Sequence, residues 1–179
     1  MVEIIEVGAV ESLLVAILVL FVGDGVKKVI PPLKKFNIPD PIVGGLVMAA
    51  IITWLHFRNV NIEFSLPLQN TFMLMFFSTV GLAASFRLLA KGGKKVIIFL
   101  GIASLYIIFQ NSIGVTLATL LGIEPLLGLI AGSITLSGGH GTGVAWSQVF
   151  ADEYGLQTLE FAMAAATFGL VMGGLIGGP

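Results

Sequence analysis

The sequence predicts an all-α membrane protein, and three observations predict it. Hydrophobic residues make up 56% of the chain and charged residues only 11%, where soluble domains average about a quarter charged. The few charges fall in clusters separated by apolar runs of about the 20 residues that a helix needs to cross a bilayer. Prolines and glycines gather where those runs end, with one exception in the middle of a run.

Taken in order, the first span covers residues 7–30, with Glu11 and Asp24 inside its ends. Glu11 reads as solvated near one end. Asp24 stands three and four residues before Lys27 and Lys28, the spacing of ion pairs on one helix face. Pro31, Pro32, Pro39 and Pro41 break the chain before span two, residues 41–57. Trp54 and His56 sit at its far end, where an interfacial aromatic belt belongs. Span three is residues 66–87, with Pro67 in its first turn, where a missing N–H costs nothing. Gly92 and Gly93 mark a turn before span four, residues 96–122. An uncharged run, 125–151, follows. The last span is 159–178, where Gly169, Gly173 and Gly177 recur every four residues on one face, the pattern of close helix packing.

The same composition excludes several functions. A net charge of −1, with no basic patch beyond loop clusters, gives no basis for nucleic-acid binding. The chain has no cysteine, so neither disulfides nor thiolate metal sites arise. Its acidic start, MVEIIEVGAVES, lacks the basic region of a cleaved signal peptide. Enzymes need nucleophiles, paired carboxylates or metal ligands at the site. One central histidine and no deep acid supply little of that.

Lysine and arginine set the orientation. Residues 27–40 hold four lysines, residues 87–95 hold Arg87 and three lysines, and the intervening loop holds only Arg58. By the positive-inside rule, loops 27–40 and 87–95 are cytoplasmic and the N-terminus is outside.

Run 125–151 is the exception noted above. Four of its six residues from 138 to 143 are glycine, and each interior glycine costs a helix about 1 kcal/mol against alanine. The run can cross the membrane. It can also dip in and return as a re-entrant hairpin over residues 125–150. The first arm, 125–136, would be about 18 Å long at 1.5 Å per residue, reaching roughly mid-bilayer. Non-helical backbone at that depth is tolerated only when buried in protein or lining an aqueous cavity. Adjacent glycines covering all helix faces, interleaved with Ser137, His140 and Thr142, fit a site lining better than simple packing.

At this point several stretches resemble a known family. AGSITLSGGHGTGVAWSQVF, NIPDPIVGGL, FFSTVGLAASF, FQNSIGVTLATLLGIEPLLGLIAGS and ATFGLVMGGLIGGP look like the N-terminal half of the bacterial sodium/glutamate symporters. The likeness runs in order from about residue 16 to residue 179. The resemblance implies five transmembrane helices plus one re-entrant helical hairpin with a glycine-rich tip between spans four and five. The whole is then one half of an inverted-repeat transporter, completed by a C-terminal inverted half and dimeric. It implies sodium-coupled uptake of L-glutamate across the bacterial inner membrane, with sodium as coupling ion and no organic cofactor. The family's proteins are about twice this length. The eight-to-one basic asymmetry argues against antiparallel dimers of a short protein, so the chain reads as a fragment or one product of a split gene. The alternatives are a pore-loop channel, which conducts without coupling, or half of another sodium-coupled anion transporter.

The site expected from this reading is Ser137, Gly138, Gly139, His140, Gly141, Thr142 and Gly143. Backbone N–H groups at the turn would meet the carboxylates. The Ser137 and Thr142 hydroxyls, with carbonyls of residues 136–139, would hold sodium, since hard cations prefer oxygen. His140 either touches substrate or caps loose backbone. Gln110 and Asn111, midway along span four, either join the site or hydrogen-bond between helices. Ser78 and Thr79 either face the hairpin or bond the preceding turn's carbonyls. Thr167 faces the hairpin or another helix.

Overall fold

The protein is described from a computed structural model covering residues 3–178. It is mostly helical, and its contacts divide it into two compact units, Met1–Met75 with Gly173–Pro179, and Phe76–Met172.

The first unit is built on two antiparallel helices, α1 (Ala9–Val29) and α3 (Asp40–Phe57), joined by the short α2 (Pro31–Lys35). They touch backbone to backbone. A methyl group on Gly23 would run into the Asp40 carbonyl, and one on Gly44 would run into the Val19 carbonyl. Small residues at a crossing permit that approach. Lys27 Nζ then reaches Asp40 Oδ1 at 2.6 Å, tying the two helices at one end. Lys28 pairs with Asp24 at 2.6 Å. Of the two lysines spaced to pair with Asp24, only Lys28 does so; Lys27 crosses to the neighbouring helix instead.

At the opposite end lies a feature the helical reading did not anticipate. Strand β1 (Glu3–Val7) pairs in parallel with β2 (Val60–Phe64), Glu3 opposite Val60 and Val7 opposite Phe64. The strands precede α1 and follow α3, so the pair closes the end away from Lys27–Asp40. Beside it, His56 Nδ1 lies 2.6 Å from Asn61 Oδ1, and the Arg58 guanidinium stacks over Trp54, 5.1 Å from the ring centroid.

Among the described residues, four helices are long and apolar enough to cross a membrane: Ala9–Val29, Asp40–Phe57, Leu89–Leu120 and Leu159–Gly177. The third expected span, 66–87, forms α4 (Gln69–Ala83), about 22 Å long at 15 residues. Residues 87–95, expected as a loop, belong instead to the start of α5 (Phe86–Leu120), which breaks at Gly93 (φ 50°, ψ −134°). Leucine, alanine and lysine are good helix formers, and that local preference extends helix into the basic segment up to the glycine.

In the second unit, α5 runs antiparallel to the segment that follows it. Gly114 and Gly128 meet so closely that a methyl on either would strike the other's carbonyl. Run 125–151 becomes α6 (Pro125–Leu129), a π-helical turn (Ile130–Ile134) and α7 (Gly139–Tyr154), followed by α8 (Leu159–Gly177). Ile130, Ile134, Phe150 and Ala162 form one buried cluster, with Leu126, Leu129 and Leu156 packed against it. Residues before and after the glycine turn therefore share a core. The glycine stripe of α8 is only partly a packing face. Gly169 lies against Leu136, whereas Gly173 and Gly177 have open space beside them.

Candidate functional site: a polar break between two helical arms

The helical ladder fails at Gly132, whose φ −92° and ψ −128° are not helical. Asn111 Oδ1, from α5, accepts the neighbouring Ser133 N–H at 3.0 Å. One residue away, Gln110 Oε1 accepts the Ser137 hydroxyl at 2.8 Å. The two amides of span four thus hydrogen-bond between helices, and they do so at the break. On the near side, Thr135 Oγ1 donates to the Ile130 carbonyl at 2.6 Å. The N–H groups of Ser137 and Gly138 both turn back to the Ser133 carbonyl, at 3.2 and 2.9 Å.

Helix α7 begins sooner than the glycine count suggests. The turn is Ser137–Gly138 alone, and Gly139, with φ +78°, starts the helix. Only glycine adopts that conformation without steric cost. Among the described residues no side chain caps this N-terminus, where the first-turn N–H groups of a helix have no intrahelical partners. Thr142 Oγ1 donates back to the Gly138 carbonyl at 3.0 Å.

Winding residues 139–143 into a helix sorts the predicted site onto two faces. One face borders a cavity of about 540 Å³, where Asn111, Ser133, Ser137, Gly138 and Thr142 supply polar groups and Trp146, Phe150 and Tyr154 form an aromatic wall. That volume lies within the range of small-molecule sites. Among the described residues, no charged side chain lines it. The aromatic wall follows an i, i+4, i+8 stripe, with Trp146–Phe150 and Phe150–Tyr154 ring centroids 5.8 and 6.0 Å apart. That stripe is legible in the sequence and was not among the expected site residues; nor was Ser133.

The other face is packed. A methyl on Gly141 would stand 3.2 Å from Phe77 Cζ, and one on Gly143 would stand 3.3 Å from Met163 Cε and Thr135 Cγ2. His140 also turns this way, with Nε2 3.0 Å from Thr167 Oγ1. The Thr167 hydroxyl donates its one proton to the Met163 carbonyl at 2.8 Å. The imidazole must therefore donate through Nε2–H, which leaves Nδ1 as the acceptor of the neutral ring. His140 and Thr167, read separately from the sequence, are thus partners, and neither lines the cavity. Thr79 bonds the Phe76 carbonyl at 2.7 Å, the local alternative for that hydroxyl. Neither Ser78 nor Thr79 lines the cavity.

The family model described as sodium/glutamate symporter matches residues 5–179. A sodium/glutamate symporter of Haemophilus influenzae is 50% identical over 171 residues, which is 94% of this chain and 42% of that protein. One from Escherichia coli K12 is 48% identical over 170 residues, with the same shares. The chain therefore spans less than half the length of the curated relatives it matches. No solved structure matches it. With the family model covering nearly every residue, the chain is a multi-pass membrane protein of the sodium/glutamate symporter family.

Proposed function

We propose that this chain forms the N-terminal five-span repeat, residues 1–179, of a sodium-driven L-glutamate symporter in the bacterial inner membrane. Residues 125–150 are its re-entrant hairpin. A C-terminal inverted half completes the path, and the complete protein is a dimer. Residues 7–30, 41–57, 66–87, 96–122 and 159–178 cross the bilayer. Support for the third crossing comes from the uncharged stretch between Glu63 and Arg87, which is long enough even though its regular helix is short. Segments 27–40 and 87–95 face the cytoplasm, in keeping with their lysines.

The observation that carries this reading is the uncapped N-terminus of α7 beside a charge-free polar cavity. A helix N-terminus presents about half a positive charge and free N–H groups to an anion. Glutamate's carboxylates are met there without lysine or arginine, so the site can bind an anion and still let it go. Sodium takes oxygen ligands, offered by Ser137, Thr142 and the carbonyls of residues 136–139. The Gly138 carbonyl already accepts the Thr142 hydroxyl, which holds these two oxygens together. Discontinuous helices serve substrate and ion in this way in other transporters. His140 acts from behind, bracing α7 against α8 through Thr167.

The test is glutamate uptake into proteoliposomes that hold the chain together with its complementary half. Uptake is expected only with an inward sodium gradient. Because this chain has no cysteine, Ser137→Cys gives a single reporter once any cysteines of the complementary half are replaced, and sodium with glutamate should protect it from thiol reagents. Glutamate flux that is indifferent to sodium, or conduction of ions without coupling, overturns the reading in favour of a channel.

A further inference from the structure

A second cavity, of about 600 Å³, lies in the first unit where α1, α2 and α3 meet, lined by Lys27, Lys28, Lys34, Lys35, Asp24 and Asp40. Its four lysines outnumber its two acids. Both acids are already committed, Asp40 to Lys27 and Asp24 to Lys28. These pairs orient the two lysines and use one of the three donors on each ammonium. Lys34 and Lys35 have no ion pair among the described residues. The cavity is thus lined by four lysines, one of them tied across helices to Asp40, around a net charge of +2.

We propose that this cavity binds the phosphate headgroup of an anionic phospholipid. The inference rests on reading α1 and α3 as membrane spans. Both helices are long and apolar enough to cross. The cavity lies at the end of α1 and the start of α3, the depth at which headgroup phosphates stand. The adjoining end of α1 exposes Val29 and Ile30, at 80% and 44%, as an apolar flank for acyl chains. Basic pockets between spanning helices are suited to acidic headgroups. An orienting role through the positive-inside rule needs only lysines somewhere in the loop; it needs neither a cavity nor the Lys27–Asp40 tie across helices. Aspartates inside a basic pocket also make sense here, because Asp40 draws Lys27 across to α3 and Asp24 pairs with Lys28.

Native mass spectrometry of the purified chain, titrated with phosphatidylglycerol or phosphatidylcholine in neutral detergent, tests this. The natural chain is expected to retain one phosphatidylglycerol and to discriminate against phosphatidylcholine. K34Q/K35Q should bind phosphatidylglycerol about 30-fold more weakly, the equivalent of about 1 kcal/mol per lysine. K94Q/K95Q removes the same charge outside the cavity and should bind as the natural chain does. Equal binding by the natural chain and K34Q/K35Q overturns the proposal, as does equal weakening in both variants, which signals bulk surface charge. Displacement of the lipid by millimolar inorganic phosphate or L-glutamate would make this a free-anion site and overturn the lipid assignment. The measurement needs no transport, so it fails or succeeds independently of the symport reading.

Discussion

The substitution Gly139→Val is expected to reduce sodium-driven glutamate uptake at least tenfold while leaving the chain in the membrane. Gly139 opens α7 with φ +78°, a conformation that costs a non-glycine residue about 1–3 kcal/mol and a β-branched one the most. A side chain there meets nothing within 4 Å. The effect is therefore one of backbone conformation and not of crowding. To relieve it, φ must turn negative, which swings the N–H groups of residues 139–141 away from their present direction. Those groups are the proposed anion cradle, and about 1.4 kcal/mol of lost transition-state stabilisation is a tenfold loss of rate. Gly139→Asn should recover part of the activity, because asparagine enters the left-handed region more readily than other residues. Uptake normalised to protein in the membrane checks both. Unchanged uptake in the valine variant removes the turn from the mechanism.

Adjacent glycines in NIPDPIVGGL should behave oppositely. Gly44→Leu is expected to destabilise the first unit by about 3 kcal/mol, at the upper end for overpacking. Its side chain has to enter the space of the Val19 carbonyl. The main chain of α1 cannot yield as a flexible side chain can. Separating the helices also pulls Asp40 from Lys27 and exposes the crossing to lipid. Gly45→Leu meets nothing within 4 Å and points outward, so it should stay within about 0.5 kcal/mol of the natural chain. Thermal unfolding in detergent, with the recovery of monodisperse protein, reads both. Equal effects at the two positions contradict the close crossing.

The helices were legible because charge placement is a local signal. An apolar run bounded by Asp24, Lys27 and Lys28, or by Glu160, reports its own ends. The break at Gly93 and the turn near residue 138 were legible because glycine acts on its own φ and ψ. What escaped depends on partners distant in the chain. β1 and β2 are joined by pairing across more than fifty residues, and five alternating residues, VNIEF, carry a weak signal beside long apolar runs. Lys27 had a nearer acid in Asp24, yet the approach of α3 at Gly23 and Gly44 brought Asp40 closer. At the glycine turn, SGGHGTG marked a break in the helix but not the faces. Helical winding from Gly139 sends Thr142 toward the cavity with Ser137 and sends His140 toward Thr167. The aromatic wall at Trp146, Phe150 and Tyr154 was present as a stripe, but such stripes usually signify core. The amides were placed midway along their span, and their partners at Ser133 and Ser137 became evident only once Gly114 and Gly128 fixed the register of the two helices.

The central claim is that residues 125–150 enter and leave the bilayer on one face. Single cysteines at the two ends of the hairpin, Ile123→Cys and Gln157→Cys, test it in the otherwise cysteine-free chain. An impermeant thiol reagent added outside intact cells is expected to modify both. Modification of Ile123→Cys from outside, with Gln157→Cys reached only after the cells are opened, would mean that the segment crosses completely and would contradict the account.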